Sequence, residues 1–538
     1  LVIALNDTAR IVRFMTDIST EQSHILLEEF EHDCLWHYRR SNSLPPSIAG
    51  DKELATARDE LSEAVLAFRD RVNADQHFVI FKTLVGFQSV FPPAWKDGDF
   101  DIHGITEYRK AEVTKLVDQV SEKTADEWFQ IIANCAKTQS NDLAMFPSFG
   151  SFLDQLGAAK PEIVLSYIER LDSELANFLP SMLWGLEKSK LKDAAIGRLW
   201  KWVEEDKYLR QAIRYCEHSL TLDLGLLEAA LQGGENADDE LCMFEAIRAS
   251  VARFKDSPDD MTSRVFLPAL RYLTGRGRHE WINAVWPRSE NDGLFRSLTP
   301  EQEDEVLASM VICPSINHNA EQILKAIAGR SPEKVVNHFG ARLDYERDLE
   351  SKRGYDEIPY KFHDLDAELQ NIPEHLVRMV RQWFEADKKY FAYRGGRMIT
   401  AVFPEPDIRV IKIFNEMVAA GRLDDVEFVI DILKDYHGQA ILHELFKDMI
   451  EGLPAGSPLL GEISVALDST GVISGEFGHV EIYLRKRDEL KSWLDDPREK
   501  VKAFAHNKIL DLDRQISDEQ RRAEQSLELR KRNYGESE

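Results

Sequence analysis

Phe152-Leu153-Asp154-Gln155-Leu156-Gly157-Ala158-Ala159-Lys160-Pro161-Glu162 aligns without a gap on Ile323-Leu324-Lys325-Ala326-Ile327-Ala328-Gly329-Arg330-Ser331-Pro332-Glu333. Each stretch ends one apolar helix with small residues and opens another at a proline. Both run on into a Val-containing helix that ends near a Leu-Asp pair, at 171–172 and 343–344. The same grammar returns at Phe414-x-x-Met417-Val418-Ala419-Ala420-Gly421, followed by Leu423-Asp424-Asp425-Val426-Glu427-Phe428-Val429. Small residues let two antiparallel helices approach at their turn, and no such hairpin buries its apolar face alone, so neighbours stack into one core. The expected fold is all-α, an α-solenoid of stacked antiparallel helix pairs.

Working outward, helix signals dominate the chain. Ser19…Gln22 and Thr124…Glu127 have the spacing of capping boxes. Ser257-Pro258, Thr299-Pro300 and Ser331-Pro332 read as an N-cap followed by proline at the first helical position, where a missing N–H costs nothing. Apolar residues then recur three and four apart, as in Trp128, Ile131, Ile132 and Cys135, or Leu191, Ala195, Leu199 and Val203. The two strand-like runs, 77–81 and 480–484, are short enough to be helical. In Leu199-Trp200-Lys201-Trp202-Val203 the two indoles point about 200° apart on a helix. Trp200, four residues after Ile196 and three before Val203, is the expected core member.

Breaks at 41–47 and 91–99 divide the chain into an N-terminal helical segment (1–90), a HEAT-like or TPR-like array (100–470) and C-terminal capping helices (471–538). The sequence opens on Leu1 inside an apolar stretch, so the 1–90 segment is expected to link to a domain upstream.

Composition bounds the chemistry. There are 67 Lys+Arg against 94 Asp+Glu, a net charge of −27, which disfavours a body that wraps nucleic acid through clustered cations. No apolar run reaches the 18 residues needed to span a bilayer. The five cysteines, Cys34, Cys135, Cys216, Cys242 and Cys313, are scattered and never form CxxC, which fits a reducing cytoplasm. Phosphate-loop, dinucleotide, zincin, nucleophile-elbow and kinase motifs are absent from the sequence, so no catalytic residue and no cofactor is expected in this chain. Any activity is expected upstream or in a partner.

Three histidine groups are candidates for metal. Cys34 and His37, beside His32, supply two ligands at i, i+3, and two do not make a zinc site, so a core cysteine beside surface histidines is expected. His363-Asp364-Leu365-Asp366 fits helix-start chemistry, with carboxylates answering the dipole. His443-Glu444 lacks a second histidine and reads as a surface pair.

Interaction candidates are the basic-aromatic stretches. Lys388, Lys389, Tyr390, Tyr393, Arg394 and Arg397 surround a diglycine, and Arg276 and Arg278 form a shorter relative. Tyr and Arg dominate binding hot spots. Such cations either meet a partner or bind the chain's own acidic groups, and both readings stand at this point.

Ser140 to Leu153, Gly475-Glu476-Phe477-Gly478, Trp493-Leu494-x-Asp496 and Val501-x-x-Phe504-Ala505 resemble the C-terminal helical-repeat regions of large bacterial multidomain proteins. In those proteins such arrays follow a STAND-type ATPase or a sirtuin-like or nuclease effector and are associated with anti-phage defence. The likeness is strongest over 100–200 and 470–535 and rests on packing signatures. It implies a sensor that binds a protein ligand, phage-derived in that setting, and controls an effector domain or subunit. A homo-oligomer is compatible with this, a passive scaffold is the alternative, and an enzyme with a helical active site is a third reading.

Overall fold

The computed structural model describes residues 1–43, 52–92, 95, 102–138, 146–285, 293–349, 354–391, 396–469, 475 and 477–534. Ser140 to Met145 and Glu476 of the family-like stretches lie outside these. The described residues are all-α, without a strand, and both strand-like runs are helical. The chain forms two compact units, 1–256 and 257–538, a division that falls inside the stretch read as one array.

The first unit opens with α1 (Val2–Ile18), α2 (His24–Asn42), α3 (Lys52–Asn73) and α4 (Gln76–Leu84). Their apolar faces close on Leu35, Val65, Phe68 and Phe78. Then follow α5 (Ile102–Gln119), α6 (Ala125–Ala136), α7 (Pro147–Ala159), α8 (Pro161–Ile168), α9 (Leu179–Glu187), α10 (Lys192–Glu204), α11 (Leu209–His218), α12 (Leu224–Asn236) and α13 (Glu240–Ala252). Here alternate helices touch. α5, α7, α9, α11 and α13 make one row, and α10 packs on α12 in a second.

The second unit repeats this arrangement through α14 (Leu267–Gly275), α15 (Pro300–Met310), α16 (His318–Ala328), α17 (Pro332–Asp348), α18 (Leu365–Leu369), α19 (Pro373–Ala386) and α20 (Arg397–Val402). It continues with α21 (Ile408–Ala419), α22 (Leu423–Leu433), α23 (His443–Gly452), α24 (Pro458–Asp468), α25 (Gly478–Leu490) and α26 (Glu499–Tyr534). One row is α14, α15, α17, α19, α21, α23 and α26; the other is α16, α18, α20, α22, α24 and α25. Side chains tie each pair to the one before, 34 residues apart in Arg271–Glu305 and Gln439–Glu405 and 44 apart in Arg381–Asp425.

The aligned stretches share geometry as well as letters. Lys160 (φ −132°, ψ 58°) and Ser331 (φ −135°, ψ 61°) adopt one conformation before their prolines, and Ile372 repeats it before Pro373 at φ −127°, ψ 50°. A residue preceding proline is forced out of the α region, so each joint ends one helix and starts the next without a break in packing. Phe152, Leu153 and Leu156 are fully buried, as are Ile323, Leu324 and Ile327. Gly157 does not serve its own hairpin turn. A Cβ there would stand 2.9 Å from the Met182 carbonyl oxygen and 3.0 Å from the Cα of Gly185, so the small residue admits α9.

Capping departs from the spacing. The Ser19 hydroxyl donates to the Thr16 carbonyl, and Ser23 caps α2 by accepting from the Leu26 N–H. Thr124 precedes α6 but its hydroxyl accepts from the Ser121 N–H in the preceding turn. Hydrogen bonds within the preceding turn decided which hydroxyls were free to cap. Thr299 does form a full capping box with Gln302. Ser331 precedes Pro332 as expected, yet its hydroxyl donates to Glu303 on α15.

The two tryptophans of α10 are reversed from expectation. Trp202 is buried with Ala195, Leu199 and Val203, whereas Trp200 is half-buried and donates its indole N–H to Asp223 at 2.9 Å. Ile196, which favoured Trp200, is itself only half-buried, and Trp202 meets the ring of Tyr208 edge-on while Trp200 lies against the start of α12 at Asp223 and Gly225. Trp202→Ala should therefore cost about 3–5 kcal/mol and Trp200→Ala about 1 kcal/mol, compared by urea denaturation.

His338 takes the place of Tyr167 in the alignment and is 4% exposed. Burial, with Arg342 beside it, pushes its imidazole down to about 3. Between pH 6.5 and about 3 the unfolded chain binds a proton that the folded chain refuses, so stability is full above pH 6.5 and falls as the pH drops through that window. His338→Leu is expected to flatten this part of the second unit's stability curve against pH by about a few kcal/mol. Superimposable wild-type and variant curves would contradict it.

Candidate recognition site

The basic-aromatic segment is anchored at both ends. Lys388 donates to Asp424 and Glu427 at 2.7 Å each, and Phe391, 2% exposed, packs between Phe384 and Phe428. Arg397 donates to Asp356 at 3.1 Å and to the Ile358 carbonyl at 3.0 Å while lying 3.9 Å over the ring of Tyr360, itself 80% exposed. Tyr393 and Arg394, and the side chains of Lys389 and Tyr390, lie outside the described residues. Lys388 and Arg397 thus bind the chain's own acids, the intramolecular alternative. Arg276 and Arg278 are exposed in the turn after α14, where Gly277 has φ +69°, and Arg276 stacks 3.5 Å over Tyr272.

The histidine groups do not gather ligands. Cys34 is in the core and His37 is exposed, while His32 accepts from the Trp36 indole at 3.0 Å. The backbone N–H groups of His363, Asp364 and Leu365 all donate to one oxygen of buried Glu321 on α16, at 2.7, 2.7 and 3.0 Å. Helix-start chemistry governs there, with the carboxylate supplied by another helix. His443 is not a surface residue: it is half-buried edge-on to Trp493, and burial holds its pKa below the usual imidazole range, while Glu444 beside it binds Lys447 and Arg498 in the open. Among the described residues no three His, Cys, Asp or Glu side chains are grouped to hold a metal ion, and no helix is long and apolar enough to cross a membrane.

A cleft that the sequence reading missed opens across α7, α9 and α11, with a volume of about 460 Å³. α7 and α9 cross closely beside it at Gly157 and Gly185. That approach carries Trp184 on α9 and Lys188 at its C-terminal cap past Asp154 on α7, where Lys188 donates to both Asp154 oxygens at 2.7 Å. Trp184 is fixed by its indole N–H, which donates to the Tyr215 carbonyl at 3.1 Å, and its ring meets His218 edge-on. Glu187, buried, accepts the Leu220 N–H at 2.9 Å, so the chain after α11 is drawn across the mouth with Leu220 66% exposed. Burial, with Glu187 next to it, pushes the Tyr215 hydroxyl well above the usual phenol range, leaving it a donor. Arg214 completes the wall. The cleft joins an aromatic face to fixed charges of both signs. Nothing in Leu183-Trp184-Gly185 marks it locally, because its residues come from three helices.

A second cleft, of about 540 Å³, lies between the 453–456 turn, α24 and α26, and is lined by Leu460, Gly461, Ala503 and Phe504.

No family model matches this sequence, and no curated protein and no solved structure is significantly similar to it. Fold and clefts place the chain in the class of all-α proteins built from helix pairs.

Proposed function

We propose that this chain is an α-solenoid of stacked antiparallel helix pairs, HEAT-like or TPR-like, and is the recognition part of a bacterial anti-phage defence protein. It binds a protein ligand and controls an effector carried elsewhere in the polypeptide or by a partner. The observation that supports the reading best is the double row of alternating helices in each unit, with a cleft open across three successive members of one row. A stack of this kind presents an extended surface whose shape responds when a ligand bridges neighbouring pairs. The resemblance of the 140–153 and 493–505 stretches to defence-protein repeat regions supports the setting, and exposed Tyr360, stacked on Arg397, and exposed Arg276, stacked on buried Tyr272, are additional candidate anchors.

The test is plating of a phage panel on cells carrying the native open reading frame. Reduced plating that is lost on Ser151→Trp, which blocks the first cleft from an exposed position, is the expected result, with escape phages altered in one gene whose product binds the purified protein. Unreduced plating for every phage would overturn the defence setting. A ligand that binds without changing any attached activity would favour the passive scaffold.

A further inference from the structure

α1 carries apolar residues on two opposite sides. Ala9 and Val12 are buried on the side that packs against α3, in one core with Leu61, Val65 and Phe68. Ile3, Ile11 and Phe14 are 78%, 56% and 61% exposed. Phe14 stands about 200° round the helix from Val12 and so points away from α3. A helix on the surface of a folded unit ordinarily keeps its outer side polar, and large apolar side chains grouped there mark a surface that another molecule covers.

The order of residues along this outer line identifies the cover. Ile3, Asp7, Arg10 and Phe14 follow one another at intervals of four, three and four, so they share one stripe. Asp7 and Arg10 are exposed and pair with each other at 3.3 Å across one turn. Read from either end the stripe is apolar, charged, charged, apolar, and reversing it exchanges the acid for the base. A second α1 laid antiparallel, with the two-fold axis at the level of Thr8 and Ala9, sets Ile3 against Phe14 and Asp7 against Arg10, twice over. The four charges then form a ring of alternating sign. This is the condition of an isologous contact, in which residue i meets j and j meets i. Ala4 and Ile11, both exposed, flank the stripe on one side and widen the apolar contact. A parallel pair would instead oppose Asp7 to Asp7 and Arg10 to Arg10. A lipid surface fits less well, because an interfacial helix keeps its charges off the apolar line, whereas Asp7 and Arg10 sit in the middle of this one.

We propose that the outer face of α1 is a homodimer contact, in which two copies of this chain pair antiparallel through Ile3, Asp7, Arg10 and Phe14. The proposal goes beyond the recognition reading and stands or falls without it.

Sedimentation velocity of the full chain from about 1 to 100 µM is expected to show monomer giving way to dimer. Phe14→Glu should weaken association about ten-fold while keeping the parent's melting curve, since the side chain it replaces is exposed. Asp7→Arg and Arg10→Asp should each associate more weakly than the parent, because each sets like charges against one another across the axis. An equimolar mixture of those two variants should recover the dimer, as should Asp7→Arg/Arg10→Asp in one chain, because both again oppose unlike charges. Ile3→Cys mixed with Phe14→Cys should cross-link under mild oxidation faster than either variant alone, which reads the antiparallel register. A parent that stays monomeric to about 100 µM, or a Phe14→Glu chain that dimerises like the parent, would overturn the proposal. Charge variants that associate no more weakly than the parent would do the same. A monomer that floats with phosphatidylcholine vesicles, and ceases to in Phe14→Glu, would overturn it by giving this face to a membrane surface.

Discussion

Gly185→Ala is expected to lower the unfolding temperature of the first unit by roughly 5–10 °C, from a loss of about 2–3 kcal/mol. A Cβ at position 185 would overlap the Asp154 carbonyl oxygen and stand 2.9 Å from the Cα of Gly157. Both obstacles are backbone, so no rotamer change relieves them and α7 and α9 must part. That separation also withdraws Lys188 from Asp154 and moves Trp184, so the same variant should lose whatever the first cleft binds. Gly197→Ala is the counterpart. Its Cβ meets nothing within 4 Å on the exposed face of α10, so removing a flexible helix residue should stabilise by about 0.5–1 kcal/mol. Scanning calorimetry of both variants compares them directly, and a Gly185→Ala chain that melts with the parent would mean the two helices are not in closest approach.

Arg342→Met is expected to cost the second unit about 3–5 kcal/mol. Arg342 is 0% exposed, and its guanidinium donates to the carbonyls of Met310, Val311, Cys313, Asp356 and Glu357, at distances from 2.6 to 3.3 Å. Those oxygens belong to the end of α15 and to the irregular segment before α18, and one side chain on α17 holds both. Methionine fills the volume but leaves five acceptors without that donor, and those of Met310, Cys313 and Glu357 are buried and carry a desolvation penalty. Arg342→Lys should recover only part of the loss, since an ammonium offers three donors from a single point. Urea denaturation measures the cost. Exchange of the Asp356 amide, bonded at 2.7 Å to the Pro314 carbonyl, should quicken in both variants because the strap loses its anchor. Parent-like stability in Arg342→Met would show that the strap holds without it.

The contrast between these residues and those legible beforehand has a physical basis. Helix, turn and helix at 152–162 and 323–333 could be read from the chain because proline, small residues and apolar spacing act over a few neighbours. The likeness extends to the backbone angles of Lys160 and Ser331. The choice between Trp200 and Trp202 could not be read so, since both fit a helix and only the neighbours each meets in the fold, Asp223 for one and Tyr208 for the other, separate them. Ser19 and Thr124 had the spacing of caps, but their hydroxyls were claimed by other groups once the preceding turns formed. Glu321 and Arg342 look like ordinary surface charges in sequence, because their partners lie on other helices or straps. By itself, then, the sequence determined an all-α chain, its hairpin joints, a core Cys34 and a net acidic charge, all set by local stereochemistry and composition. The tertiary structure alone decided which charges are buried, which tryptophan is core and where α7, α9 and α11 leave a cleft, because each depends on side chains brought together from distant parts of the chain.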